Sequence, residues 1–188
     1  IGAIETESHG CHMIAMLPNG SKLYAENEDD QPYVSVLDPA GHRLMAKVPV
    51  ANGAAGIIAS PDGRTVLVTD ATEPYLYVVD ASTDKLRGRV KLEGHERPAQ
   101  RVRWSPDGRH VVVTSTEEPL ATIMDGSLEH QTALTVGTGP MGVAFAPDGQ
   151  TLLVANHGAG TITMVDLAAR RALGEFPAGK GVETLAYY

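Results

Sequence analysis

Short apolar runs broken by tight turns recur along the chain, and none is long enough to make a helix. Residues 139–179 show the unit most clearly. Val143-Ala144-Phe145-Ala146 is apolar and bounded by turn residues, which predicts a strand. Pro147-Asp148-Gly149 follows it. Proline presets φ for the second position of a type I turn, and glycine suits the fourth. Thr151-Leu152-Leu153-Val154-Ala155 is rich in β-formers and reads as a second strand. Asn156-His157-Gly158-Ala159-Gly160 supplies the conformations a hairpin turn needs. Thr161-Ile162-Thr163-Met164-Val165 alternates polar and apolar, the period of a third strand. Asp166 ends it, its carboxylate placed to accept N–H groups of the next turn. Residues 173–176 form a weaker fourth strand.

The same pattern repeats. The turn recurs as Pro18-Asn19-Gly20, Pro61-Asp62-Gly63, Pro106-Asp107-Gly108 and Pro147-Asp148-Gly149, at steps of 43, 45 and 41 residues. Strand-ending aspartates follow these prolines at Asp38, Asp80, Asp125 and Asp166, by 20, 19, 19 and 19 residues. Two independent landmarks therefore hold one register. A period of about 40–45 residues with four strands per unit is the signature of a propeller blade. The repeats run approximately over 9–51, 52–96, 97–137 and 138–179. One four-stranded sheet cannot bury both of its apolar faces, so neighbouring sheets stack. The third-strand pairs Val34/Val36, Leu76/Val78, Ala121/Ile123 and Ile162/Met164 are the expected packing residues, with Trp104 standing where the fourth repeat has Phe145. Residues 1–4 match 173–176, and 183–188 match 141–146. Single flanking strands are therefore expected over 1–6 and 183–188, as if the chain were four complete blades cut from a larger propeller.

Residues 139–156 read G-x-x-G-V-A-F-A-P-D-G-x-x-L-x-V-A-N, and 161–166 read T-I-T-x-V-D. This resembles the bacterial YVTN-type β-propeller-repeat proteins, the YncE-like group. Residues 60–80 and 105–125 match with gaps. The resemblance implies an all-β, WD40-like propeller, usually of seven blades, exported to the periplasm or beyond the cell, and mostly without a defined activity. Lactonase propellers, amine-dehydrogenase heavy chains and haem d1 domains share the architecture, so the scaffold does not choose a chemistry.

Composition narrows the partners. Of 188 residues, 43% are hydrophobic and 20% charged, as in a globular protein. The net charge of −8 argues against a nucleic-acid surface, which needs clustered cations. Arg97, Arg101, Arg103 and Arg109 form the one basic cluster and read as solvated strand ends. No apolar run approaches a membrane span, and no signal peptide is visible. Cys11 is the sole cysteine, so no internal disulfide forms.

Candidate chemistry is sparse. Ser8-His9-Gly10-Cys11-His12 gathers good zinc or copper ligands in His9, Cys11 and His12. On an extended chain His12 points opposite Cys11, so a metal there needs ligands from other blades. The haem attachment motif C-x-x-C-H is broken by Ser8. Glu26-Asn27-Glu28-Asp29-Asp30 is acidic enough for Ca²⁺ but lacks the EF-hand glycine and spacing, and reads as a solvated loop. Asn27, Asp70, Ser115 and Asn156 end the four second strands and are expected to cap local turns. There is no nucleophile elbow, Walker loop or H-E-x-x-H motif. The reading is a non-enzymatic binding module without cofactor, whose ligand is a protein or small molecule held at the channel-mouth loops by His9, His12, Asn52, Arg97 and Met141. Its rival is an enzyme or redox subunit, such as a lactonase-like hydrolase or a quinoprotein or haem d1 partner. Ala55, Gln100 and Met141 match His12 in position and give little polar convergence for such chemistry.

Overall fold

The computed structural model describes residues 2–27 and 32–186. Among them it is all-β, with sixteen strands and no helix, arranged as four four-stranded antiparallel sheets. It is a propeller-type fold, with each sheet formed by one sequence repeat. The chain divides into two compact units, 1–91 and 92–188.

The first unit holds two sheets. One is β1 (Cys11–Met16), β2 (Leu23–Asn27), β3 (Tyr33–Asp38) and β4 (Arg43–Pro49). The other is β5 (Ala54–Ala59), β6 (Thr65–Asp70), β7 (Tyr75–Asp80) and β8 (Lys85–Lys91). Their shared core contains Tyr24, Val34, Val36, Ile57, Val66, Val68, Tyr77 and Val79. The second unit repeats the plan with β9 (Arg101–Trp104), β10 (His110–Ser115), β11 (Leu120–Asp125) and β12 (Gln131–Thr135), then β13 (Pro140–Phe145), β14 (Thr151–Asn156), β15 (Thr161–Asp166) and β16 (Arg171–Pro177). Its core contains Val112, Ala121, Ile123, Val143, Leu152, Val154, Val165 and Leu167. In all four sheets the strands run in sequence order, each hydrogen-bonded to the next. Short turns suffice for such a meander.

The turn chemistry follows the sequence landmarks. Gly20, Gly63, Gly108 and Gly149 all have φ between +66° and +71° and donate to the carbonyls of Leu17, Ser60, Ser105 and Ala146 at 2.8–3.0 Å. Only glycine takes that φ without strain. The strand-ending aspartates accept from the next turn as expected. Asp38 takes Gly41 N at 2.8 Å, Asp80 takes Ser82 N at 2.8 Å, and Asp166 takes Ala169 N at 2.9 Å. Asp125 takes Ser127 Oγ at 2.8 Å. The Ser82 hydroxyl, then Arg87 and the Ser82 backbone N–H, hold the Asp80 carboxyl well below the usual carboxylate range.

Packing departs from expectation at some positions. Val34, Val36, Leu76, Ala121, Ile123 and Ile162 are buried, but Val78, Met164 and Trp104 are only half-buried. Both faces of the middle strands are covered, so Tyr77, Val79, Thr163 and Val165, on the opposite face, share the burial. At the flanks, residues 2–6 and 183–186 carry no regular strand. Side-chain hydroxyls hold the first flank: Tyr33 Oη donates to Thr6 O and Glu7 O at 3.1 and 2.6 Å, and Ser35 Oγ to Thr6 O at 3.2 Å. At the other flank, Gly142 N donates to Glu183 O at 2.9 Å. The acidic residues Glu28, Asp29 and Asp30 lie outside the described residues.

Candidate functional site

Each sheet begins its first strand beside the end of its second, because the two are antiparallel neighbours. Polar residues at those strand ends therefore meet the loop that enters the sheet. All four second-strand residues singled out from the sequence, Asn27, Asp70, Ser115 and Asn156, are fully buried. Among the described residues, only Asp70 caps its own turn, accepting Thr72 N at 2.8 Å and Glu73 N at 3.0 Å on Oδ1. Asn27 Nδ2 instead reaches across to Tyr33 O and Ser35 Oγ on β3, at 2.6 and 3.2 Å. Asn156 Nδ2 reaches Thr161 and Thr163 Oγ1 on β15, at 3.0 and 2.9 Å. Ser115 Oγ donates to Pro98 O in the entering loop at 2.7 Å. Amide and hydroxyl donors find partners on the neighbouring strand or loop, while the carboxylate collects N–H groups.

In the first sheet, His9, Cys11 and His12 are exposed. His12 Nδ1 lies 3.2 Å from Oε1 of Glu26, and the same oxygen accepts Met13 N at 2.9 Å. Glu26 itself is wholly buried. Partial burial and the Glu26 carboxylate together raise the Cys11 thiol above its ordinary range, so it is a protonated, weakly nucleophilic thiol at neutral pH. In the second sheet, Asn52 Nδ2 is 3.2 Å from Asp70 Oδ2 and 3.2 Å from Glu73 Oε2. Tyr77 Oη donates to Asp70 Oδ2 at 2.6 Å. Burial, then that bond to Asp70, push the Tyr77 hydroxyl up to about 12. Burial works to raise Asp70, but its hydrogen bonds from Tyr77, Thr72, Glu73 and Asn52 prevail and hold it below the ordinary carboxylate value.

In the third sheet Arg97 is exposed, and its backbone N–H donates to Glu118 Oε2 at 3.3 Å. Glu118 also accepts Glu96 N at 3.0 Å and faces His95 Nδ1 at 3.0 Å. His95 is buried, and its Nε2 lies 2.8 Å from Thr122 Oγ1. Burial dominates the imidazole, lowering its pKa despite the neighbouring carboxylate. This Glu118–His95–Thr122 chain has the connectivity of a nucleophile relay, but Thr122 is fully buried on β11, so the chain clasps the entering loop to the sheet. In the fourth sheet, Met141 is half-buried and its carbonyl accepts Thr114 Oγ1 of the third sheet at 2.6 Å.

Asn52 bonds to Asp70 and Glu73 of its own sheet, the Arg97 N–H bonds to Glu118, and the Met141 carbonyl accepts Thr114, so these three are engaged with other partners rather than with one another. Among the described residues, no three His, Cys, Asp or Glu side chains converge where a metal ion can sit. Two features escaped the sequence reading. The His95 clasp joins residues 23 and 27 positions apart, and no local motif marks such a pairing. The other is a cavity of about 380 Å³ in the second unit, at the opposite strand ends from Arg97 and Met141. It lies between the two Pro-Asp-Gly turns, and Ser105, Pro106, His110, Phe145, Pro147 and Leu167 line it.

No family model matches the chain, and no curated protein does. Among solved structures it is similar to Kuenenia stuttgartiensis hydrazine synthase, with a TM-score of 0.78 and 22% sequence identity. The match covers 93% of this chain and 51% of that one, so the chain spans about half the length of the matched structure. The likeness establishes the propeller fold. With 1449 solved chains matching, the scaffold is too widely shared to specify an activity.

Proposed function

We propose that this chain is a non-enzymatic binding module of the YVTN-repeat type, exported to the periplasm, whose ligand surface is the set of loops entering the first strands. His9, His12, Asn52, Arg97 and Met141 mark that surface. The observation that supports this reading is the employment of the carboxylates there. Glu26, Asp70 and Glu118 each accept backbone N–H groups of an adjacent loop or strand. The pKa values of Asp70 and Glu118 are lowered, whereas a general acid or base at neutral pH needs its carboxyl raised. These groups stiffen the loops, and a stiff loop loses less entropy when it binds.

The test is elemental analysis of the parent protein purified without chelator, beside a His12→Ala variant, together with a lactone-hydrolysis assay. A binding module gives no stoichiometric metal and no turnover in either protein. Stoichiometric metal lost in His12→Ala, or hydrolysis abolished by it, would overturn the reading in favour of a hydrolase or redox subunit.

A further inference from the structure

The cavity in the second unit lies between the turns of two successive repeats, and the corresponding pair of turns in the first unit is built differently. Positions correspond by their distance from the turn proline. Asn19, Asp62, Asp107 and Asp148 follow it directly, and Ser21, Arg64, Arg109 and Gln150 stand three residues after it. In the first unit the two turns abut: a Cβ on Gly63 would lie 3.4 Å from Pro18 Cδ. In the second they stand apart. Beyond its chain neighbours, no atom among the described residues lies within 4 Å of a Cβ built on Gly149.

The gap is the cavity of about 380 Å³, and Pro106, Phe145, Pro147 and Leu167 give it apolar walls. Donors around it are spent within the protein. Ser105 Oγ donates to Asp107 Oδ1 at 2.6 Å, Gly149 N to Ala146 O at 3.0 Å, and Ala146 N to Thr151 O at 2.8 Å. Among the described residues no lysine or arginine lines it. Burial lowers the pKa of His110, so its ring adds no positive charge at neutral pH. An anion therefore meets no cation in the lining.

Asp107 and Asp148 both line the cavity, so the second unit sets two carboxylates where the first has Asn19 and Asp62. The Ser105 hydroxyl, then the N–H and guanidinium of Arg109, hold Asp107 below the ordinary carboxylate value. The N–H groups of Gln150 and Thr151 do the same for Asp148. Both are therefore ionised at neutral pH, but they differ in how the charge is met. Asp62 has Arg64 of its own turn at 4.0 Å, and Asp107 has Arg109 at 2.6 Å. At the same place Asp148 has Gln150, whose backbone N–H donates at 2.8 Å. Thr151 adds its N–H at 3.0 Å and its hydroxyl at 3.1 Å. All three donors are uncharged, and among the described residues Asp148 forms no ion pair. A carboxylate offers about four lone pairs, so Asp148 keeps both its charge and room to face a cation.

We infer that this cavity is a binding site for a compact quaternary ammonium, with its methyl groups against Phe145, Pro147 and Leu167 and its charge facing Asp148. The volume is within the range of small-molecule pockets. A quaternary ammonium needs no hydrogen-bond acceptor and is attracted to an aromatic ring, so it suits apolar walls beside a carboxylate without a counter-ion. A primary ammonium brings three N–H donors, which walls of proline, phenylalanine and leucine side chains leave unmet. The site lies at the opposite strand ends from Arg97 and Met141 and does not rest on the loop surface proposed above.

The experiment is an NMR titration of the whole chain with choline, and with dimethylbutanol, the uncharged isostere in which carbon replaces the nitrogen. Saturable shifts at Phe145, Asp148 and Leu167 are expected with choline, with the isostere about 10-fold weaker. Asp148→Asn keeps the turn, since Asn19 accepts the Ser21 N–H at the same place at 3.0 Å. It brings choline down to the level of the isostere and leaves the isostere unchanged. Gln150→Arg gives Asp148 the partner that Asp62 and Asp107 have, and weakens choline about 3-fold with the isostere again unchanged. Absence of saturable shifts with choline would overturn the inference, as would shifts spread over the acidic surface at large. So would equal affinity for the two probes, or an unaltered preference in Asp148→Asn. Should Asp148→Asn not melt cooperatively, Gln150→Arg decides, and unchanged choline affinity there overturns the inference.

Discussion

The Glu118 clasp gives the sharpest energetic expectation. Replacing Glu118 by Ala removes the acceptor for His95 Nδ1 at 3.0 Å and for the backbone N–H groups of Glu96 and Arg97 at 3.0 and 3.3 Å. Glu96 and Arg97 are exposed, so water replaces the lost acceptor there at little cost. His95 is buried, and one ring nitrogen is left without its partner. An orphaned buried polar group costs about 1–3 kcal/mol, so the variant loses about 2 kcal/mol. For a chain of this length that lowers Tm by about 4–8 °C. Thermal melts at pH 7.5 measure it. The pH dependence adds a second signature. Burial sets the folded His95 pKa below its ordinary value near 6.5, so the unfolded chain binds more protons in the window between the two. Stability therefore rises with pH through that window. It is fully present above about 6.5 and is lost as pH falls through the folded value. Glu118 works against the lowering, so its removal drops the folded pKa further and makes the loss on acidification larger. His95→Phe removes the His95 part of the dependence. A Glu118→Ala protein with unchanged Tm at pH 7.5, or with a flatter profile than wild type between pH 5 and 7, would refute the reasoning.

Other substitutions test the remaining clasps and turns. Tyr24→Phe deletes a hydroxyl bonded to Asp84 at 2.6 Å and lowers stability by about 1–2 kcal/mol, read from the urea midpoint. Gly137→Ala drives a methyl into the Asn156 side chain, whose amide holds Thr161 and Thr163, and costs about 1–3 kcal/mol. Gly174→Ala, with open space around its Cβ position, stays within about 0.5 kcal/mol by the same melts. Leu152→Ala in the second unit's core costs about 2–5 kcal/mol, as large-to-small core changes do.

The turns and strand ends were legible because their chemistry is local. A glycine at positive φ and an aspartate accepting from its own turn are written within five residues, so Gly149 and Asp166 announce themselves. The partners of the strand-end polar groups were less so. Asn156 looks like a turn cap in sequence, but its amide N–H groups donate across to β15, because antiparallel pairing sets Thr161 opposite it with Thr163 two residues on. The His95 clasp was invisible, since its three members meet only once the loop folds back on the sheet. Half-burial of Val78 and Met164 was also hidden: alternation tells which face a residue takes, not how much of that residue is covered. The cavity beside His110 lies between two Pro-Asp-Gly turns of different repeats, a pairing that no local motif marks.

The binding surface is tested most directly through Cys11, the sole cysteine, which is exposed one residue before His12. A photo-cross-linker is attached there on the parent protein, and for comparison at Ser21→Cys in a Cys11→Ser background, in the exposed turn after β1. The account predicts one discrete product in the native extract from Cys11, lost in His12→Ala and absent from the Ser21→Cys protein. No product from Cys11, or the same product from both positions, would contradict it.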